Sequence, residues 1–121
     1  NIKRNIFKKY CTAFKDIDEI ELPAENKDIS HVWWMSYFFF NKKTELELHM
    51  SKNNIQTRKF FYPLNLQPCY ISSDIIDTSG IFNNTQSLYD KGLCMPSSVL
   101  MKKSEQQAVI DAVRSFYLRQ L

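Results

Sequence analysis

Glycine is nearly missing from this sequence. Gly80 and Gly92 are the only two in 121 residues, too few to build the phosphate-cradling loop of a nucleotide-triphosphate or dinucleotide site. Cysteine is scarce as well. Cys11, Cys69 and Cys94 are odd in number and far apart, which excludes a disulfide framework, so reduced thiols, mostly buried as small apolar groups, are expected. His31 and His49 lie on different predicted elements and no Cys–His spacing suggests a zinc site, so no metal ligand is assigned. No apolar run of about eighteen residues occurs, and Asn1-Ile2-Lys3-Arg4 is not followed by a signal-peptide core; the expectation is a soluble, cytoplasmic chain with no membrane partner. A nucleophile beside its base and a plausible acid pair are also missing, so no catalytic residue is assigned.

What is present is aromatic. Nine Phe, six Tyr and two Trp in a chain that is 44% hydrophobic and 24% charged supply ample area for one globular core. A single domain is expected over residues 1–121. The net charge of +3 is modest, with basic clusters at Lys3, Arg4, Lys8 and Lys9, at Lys42-Lys43 and at Lys102-Lys103. Such clusters attract phosphate or form the solvated face of a helix. They are the only support for a nucleic-acid-binding reading, and no nucleic-acid partner is expected.

Ile2, Ile6, Phe7, Tyr10 and Phe14 recur at helical spacing, which predicts a helix over residues 1–15. Neither a Ser, Thr or Asp cap nor an initiator Met precedes it, as if the chain had been cut at or before a helix. Alternating residues 17–23 predict an edge strand stopped by Pro23. The aromatic run of residues 31–40 predicts a strand buried on both faces, the spine of the domain. Asn41 is expected to cap a helix from Lys42 to about Asn53, with Asn53-Asn54 as a left-handed stop. A strand over residues 55–62 ends at Pro63, and residues 64–79 carry little periodicity. Such a long connection is more often functional than idle. Ile81, Phe82, Thr85, Leu88 and Tyr89 predict a helix stopped by Gly92, followed by a short strand ending at Pro96. Ser104-Glu-Gln-Gln107 fits a capping box ahead of a terminal helix. The sum is an α+β domain: a small, largely antiparallel sheet with helices packed on it.

Residues 57–70, where an arginine and aromatics lead into a proline-bounded loop, are the most informative. Arg58 at a strand end suits bidentate pairing with phosphate or carboxylate. Tyr70 offers a hydroxyl and a stacking face. A solvated arginine and a packed tyrosine account for the same residues, and their chemistry alone leaves both readings open. His31 either faces a ligand from a strand end or is a structural histidine, and His49 reads as packing. The aromatics of residues 33–40 read as core rather than as a base-stacking platform.

Ile55-Gln-Thr-Arg-Lys-Phe-Phe-Tyr-Pro-Leu-Asn-Leu-Gln-Pro-Cys-Tyr70 resembles the Gly-Ile-x-Thr-Arg-x-Phe-Phe-x-Pro-Leu-His-x-Gln-Pro-x-Tyr signature of the DegT/DnrJ/EryC1/StrS aminotransferases. His31-Val-Trp-Trp-Met35 is similar to that family's Val-Trp-Trp-Met-Tyr strand, residues 88–98 to its Gly-Leu-x-Leu-Pro-Ser turn, and residues 105–113 to its last helix. Two positions depart: Asn65 stands where many members have His, and Ser36 where the strand usually has Tyr, with Tyr37 displaced by one. Asn cannot act as an acid or base near neutral pH.

The resemblance implies the C-terminal small domain of a homodimeric, fold-type-I, pyridoxal-phosphate-dependent enzyme that aminates a nucleotide-linked keto-deoxysugar. Residues 1–16 would be the linker helix from a large domain and residues 17–121 the sheet-and-helix body. The lysine that carries the cofactor would lie in that large domain, so this chain alone is expected to hold no pyridoxal phosphate and to be inactive. A few relatives are dehydratases with histidine in place of that lysine. Arg58 and Tyr70 are the best transferred substrate contacts, followed by Thr57, Asn65 and His31. The alternative is a stand-alone ligand-binding or interaction module derived from the same domain. An exposed apolar patch would favour the first, a polar surface the second.

Overall fold

A computed structural model describes residues 1–72 and 79–118. Its elements are α1 (Ile2–Phe14), β1 (Ile20–Glu21), β2 (Ser36–Phe40), α2 (Lys43–Lys52), β3 (Arg58–Lys59), a 3-10 turn (Leu64–Leu66), α3 (Pro68–Ile71), α4 (Asn83–Lys91), β4 (Gly92–Met95) and α5 (Lys103–Leu118). The expected α+β class is observed: four strands in the order β1-β2-β4-β3, all pairs antiparallel.

Register decides what each face carries, because directly opposed residues of an antiparallel pair share a face. Ser36 opposes Met95, and Phe38 opposes Leu93, which opposes Lys59. Phe40 opposes Ile20. This face is sealed. Phe7 and Phe14 of α1 lie 5.6 and 5.2 Å, ring to ring, from Phe38. Leu46 and Met50 of α2 and Val109, Ile110, Val113 and Tyr117 of α5 complete the same buried cluster. Each Phe fully withdrawn from water contributes about 1.5–3 kcal/mol. The helices are also tied by polar contacts. Buried Gln106 donates to the Ile6 carbonyl at 2.8 Å, and Arg114 donates to Ala13 O and pairs with Asp16, so α5 runs in the same direction as α1.

The opposite face holds Tyr37, Phe39, Gly92, Cys94 and Arg58. Phe60 packs edge-on to Tyr37 and Phe39, at 5.3 and 6.0 Å, and its ring covers Gly92. A side chain at Gly92 would run into that ring and into the Leu88 carbonyl oxygen, so close approach, not backbone twist, explains this glycine.

Several expected boundaries are corrected. The strand expected over residues 31–40 starts only at Ser36, because its partner β4 ends at Met95 and Pro96 offers no donor beyond it. Upstream, Trp33 has a left-handed backbone (φ 50°), unusual for a bulky residue. Its ring is held by stacking on Phe7 at 3.5 Å. β1 and β3 are only two residues each, at the two edges of the sheet. Asn41 does not cap α2; Lys42 precedes the helix and no side-chain cap bond forms. Asn54 does take the left-handed conformation (φ 58°) after that helix. The 3-10 turn and α3 fall where little periodicity was expected; residues 73–78 of that stretch lie outside the described residues. Gly92 ends α4 in an extended conformation and opens β4 directly. The Ser104 capping box does not form; instead Glu105 makes half of one two residues earlier, accepting from the backbone N–H of Lys102 at 2.7 Å.

Candidate functional site

At one end of the sheet β2 and β3 begin and β4 finishes. The three chain segments that meet there enclose a pocket of about 350 Å³, lined by Trp34-Met35, Gln56-Thr57-Arg58 and the stretch from Cys94 to Ser97. The lining includes no Asp or Glu. Arg58 is exposed, and its guanidinium makes no hydrogen bond or ion pair with any described residue. The other described arginines are engaged, Arg4 with the His31 carbonyl and Ser30 hydroxyl, Arg114 with Ala13 O and Asp16. A planar, permanently charged fork left unpaired beside threonine, serine and glutamine suits an anion or a polyhydroxylated ligand.

Cys94, on the sheet beneath Arg58, is buried. Burial pushes its thiol up to about 11, and the positive charge of Arg58 only partly offsets this, so it stays protonated near neutral pH. Its sulfur sits 4.0 Å from that of Met35. The pocket lining therefore offers one unpaired cation and neutral polar groups, and carries no acid–base pair of its own.

Of the residues singled out in the sequence, Thr57 and Arg58 come together in this pocket. Asn65, in the 3-10 turn, and Tyr70, on α3, are half-buried and lie outside its lining. His31 is in a separate cavity of about 190 Å³ with Arg4, Lys8 and Glu25, and its ring stacks on Trp33 at 4.8 Å. His49 packs against Phe116, as expected of a structural histidine. Reading the aromatic run as core missed Trp34, which is 64% exposed while its neighbour Trp33 is buried. The left-handed turn at Trp33 separates the two, and no spacing rule reveals it.

Comparison with known proteins decides the family: the model of the DegT/DnrJ/EryC1/StrS aminotransferase family matches residues 1–114. The chain belongs to this family. GDP-perosamine synthase of Escherichia coli O157:H7 is 25% identical over 116 residues, covering 93% of this chain and 29% of that protein. EpsN of Bacillus subtilis (strain 168), whose name carries a provisional pyridoxal phosphate-dependent aminotransferase assignment, is 24% identical over 114 residues, with 92% and 29% covered. Among solved structures, S. venezuelae DesV in complex with a ketimine intermediate superposes with a TM-score of 0.86 at 22% identity, over 95% of this chain and 31% of that one. A family aminotransferase from Brucella abortus does so with a TM-score of 0.81 at 20% identity, over 96% and 30%. The chain thus spans about three-tenths of the length of the curated relatives it matches.

Family membership sharpens two observations. Ser36 faces the sealed side of the sheet and Tyr37 the open side. Displacing a tyrosine by one position therefore moves its hydroxyl across the sheet. Pyridoxal phosphate, the cofactor in EpsN's name, is carried in an aminotransferase by a lysine amine, commonly with a carboxylate at its ring nitrogen. The pocket lining supplies neither, so the cofactor's reacting end does not fit there. Among the described residues no helix is long and apolar enough to cross a membrane, and no group of three or more His, Cys, Asp or Glu is placed to hold a metal.

Proposed function

We propose that this chain is the C-terminal part of a pyridoxal-phosphate-dependent aminotransferase acting on a nucleotide-linked keto-deoxysugar, and that it closes the active-site cleft and contacts that substrate. The observation that carries the proposal is the unpaired guanidinium of Arg58 in a pocket without a carboxylate. In this scheme Arg58 takes an anionic group of the substrate and Thr57 a neighbouring hydroxyl. Asn65 and Tyr70, on the adjoining segment, extend the contact, and His31 supports it through its stack on Trp33. Residues 1–16 link to a preceding large domain that holds the cofactor, and the whole enzyme is a cytoplasmic homodimer.

The surface supports a covering partner over a stand-alone module. Trp34, Phe61, Tyr62, Leu64, Ile71 and Ile81 are all exposed, Phe61 by 75% and Ile81 by 87%. Four of these, Phe61, Tyr62, Leu64 and Ile71, fall within eleven residues, and bare aromatic and aliphatic side chains so close together favour a covering partner.

The test is amino transfer from glutamate to a nucleotide-linked keto-deoxysugar by the polypeptide that carries this chain. Losing a charge-assisted contact costs about 1.5–3 kcal/mol, so Arg58→Ala should raise KM for the sugar substrate about ten- to a hundred-fold. The glutamate half-reaction should be unchanged. No transfer by the full polypeptide, or an unchanged KM in the variant, would sink the proposal.

A further inference from the structure

Lys3, in the first turn of α1, spends its ammonium on neutral oxygens. It donates to the Trp34 carbonyl at 3.0 Å, to the Ser97 carbonyl over a short contact, and to the Ser97 hydroxyl at 3.3 Å. An ammonium has three N–H donors, so these acceptors use all of them. No described carboxylate forms an ion pair with it. A surface lysine left to itself would stay hydrated or seek an acid; this one holds two carbonyls from loops 63 residues apart in sequence, one entering β2 and one leaving β4.

Both loops are walls of the Arg58 pocket, because Trp34 and Ser97 line it. The same helix holds them further along. Phe7 stacks on Trp33, the residue whose left-handed backbone turns Trp34 outward. The Tyr10 hydroxyl donates to the Pro96 carbonyl at 2.8 Å. Residues 3, 7 and 10 lie on one stripe of a helix, so a single edge of α1 fixes residues 33, 34, 96 and 97. The remaining wall carries Arg58 on the edge strand and Thr57 just before it, which α1 does not hold through these contacts.

We infer that Lys3 is a positioning residue of the Arg58 pocket: it clamps the Trp34 and Ser97 loops at the spacing at which an anionic ligand held by Arg58 can also reach them. Lys3 does not touch the ligand. Its unpaired charge adds to that of Arg58, so the pocket carries positive potential without an acid in its lining. The inference rests on the proposed anion-binding role of Arg58, and it extends the site to the first turn of a helix that is remote in sequence from every motif of the pocket.

The experiment is NMR titration of the 121-residue chain with inorganic pyrophosphate, comparing wild type, Arg58→Ala, Lys3→Met, Lys3→Arg and the milder Ser97→Ala. Lys3→Met should weaken pyrophosphate binding at least five-fold and displace the Trp34 and Ser97 amide signals of the free chain. Ser97→Ala, which removes one acceptor, should move binding in the same direction by less. Lys3→Arg keeps the charge but cannot reproduce three-point donation from one nitrogen, so it should stay weaker than wild type. If Arg58→Ala loses binding while both Lys3 variants bind as wild type, the positioning role is overturned and the Arg58 pocket stands. If the wild type itself does not bind pyrophosphate, the anion-binding reading falls, and this inference with it.

Discussion

The two faces of one small sheet differ more than any two elements of the fold. On one, Phe38, Phe40, Leu93 and Met95 are almost wholly withdrawn from water beneath α1, α2 and α5. On the other, Tyr37 and Phe39 are only half-buried, Phe60 covers Gly92, and Arg58 stands unpaired at the rim of a pocket. The strands are the same, and only the parity of the residue number separates the faces. The sealed face holds the fold together. The open face is left for something else to contact.

The largest effect should come from breaking the sealed face. Phe38→Ala removes a ring touching Phe7, Tyr10, Phe14 and Phe40 and should cost about 3–5 kcal/mol in urea unfolding. Arg58→Ala, on the open face, should stay within about 0.5 kcal/mol of wild type in the same experiment. Next, Gly92→Ala places a methyl group against the Leu88 carbonyl and the Phe60 ring and should cost about 1–3 kcal/mol by overpacking, read as a lower urea midpoint.

Ser36 gives a smaller effect of opposite sign. Its hydroxyl is fully buried on the sealed face, with no hydrogen-bond partner among the described residues. Ser36→Ala should therefore raise stability by about 1 kcal/mol. The smallest effect belongs to the exposed Asp16–Arg114 pair, at 2.8 Å. The hydrogen bond from Arg114 holds the Asp16 carboxyl below its ordinary value. Its contribution is present above the unfolded value of about 3.9 and is lost as pH falls through the lowered folded value. Asp16→Asn should flatten the stability curve below about pH 4, and added salt should shrink the difference between the two proteins.

The sealed face was largely legible in the sequence. The stripe of Ile6, Phe7, Tyr10 and Phe14 and the periodicity of α5 follow from burial alone, and burial is periodic, whereas the run from Tyr37 to Phe40 carries rings on both faces and was expected to be buried on both, though Tyr37 and Phe39 are only half-buried. What was not legible is set by partners distant in sequence. Residues 31–35 look like a strand until β4 proves too short to pair with them, and Trp34 looks like core until the left-handed turn at Trp33 faces it outward. Thr57 and Arg58 could be singled out by chemistry and by family resemblance. Their neighbours Gln56 and Ser97, and the Lys3 clamp, come from contacts that no local pattern encodes.

The most direct measurement is an amide chemical-shift map of the 121-residue chain titrated with a nucleotide-linked sugar. If the open face is the ligand face, shifts should concentrate at Thr57, Arg58, Cys94 and Ser97 and leave Val109 and Val113 of α5 in place. Shifts confined to α2 and α5, or none at saturating nucleotide sugar, would contradict that claim.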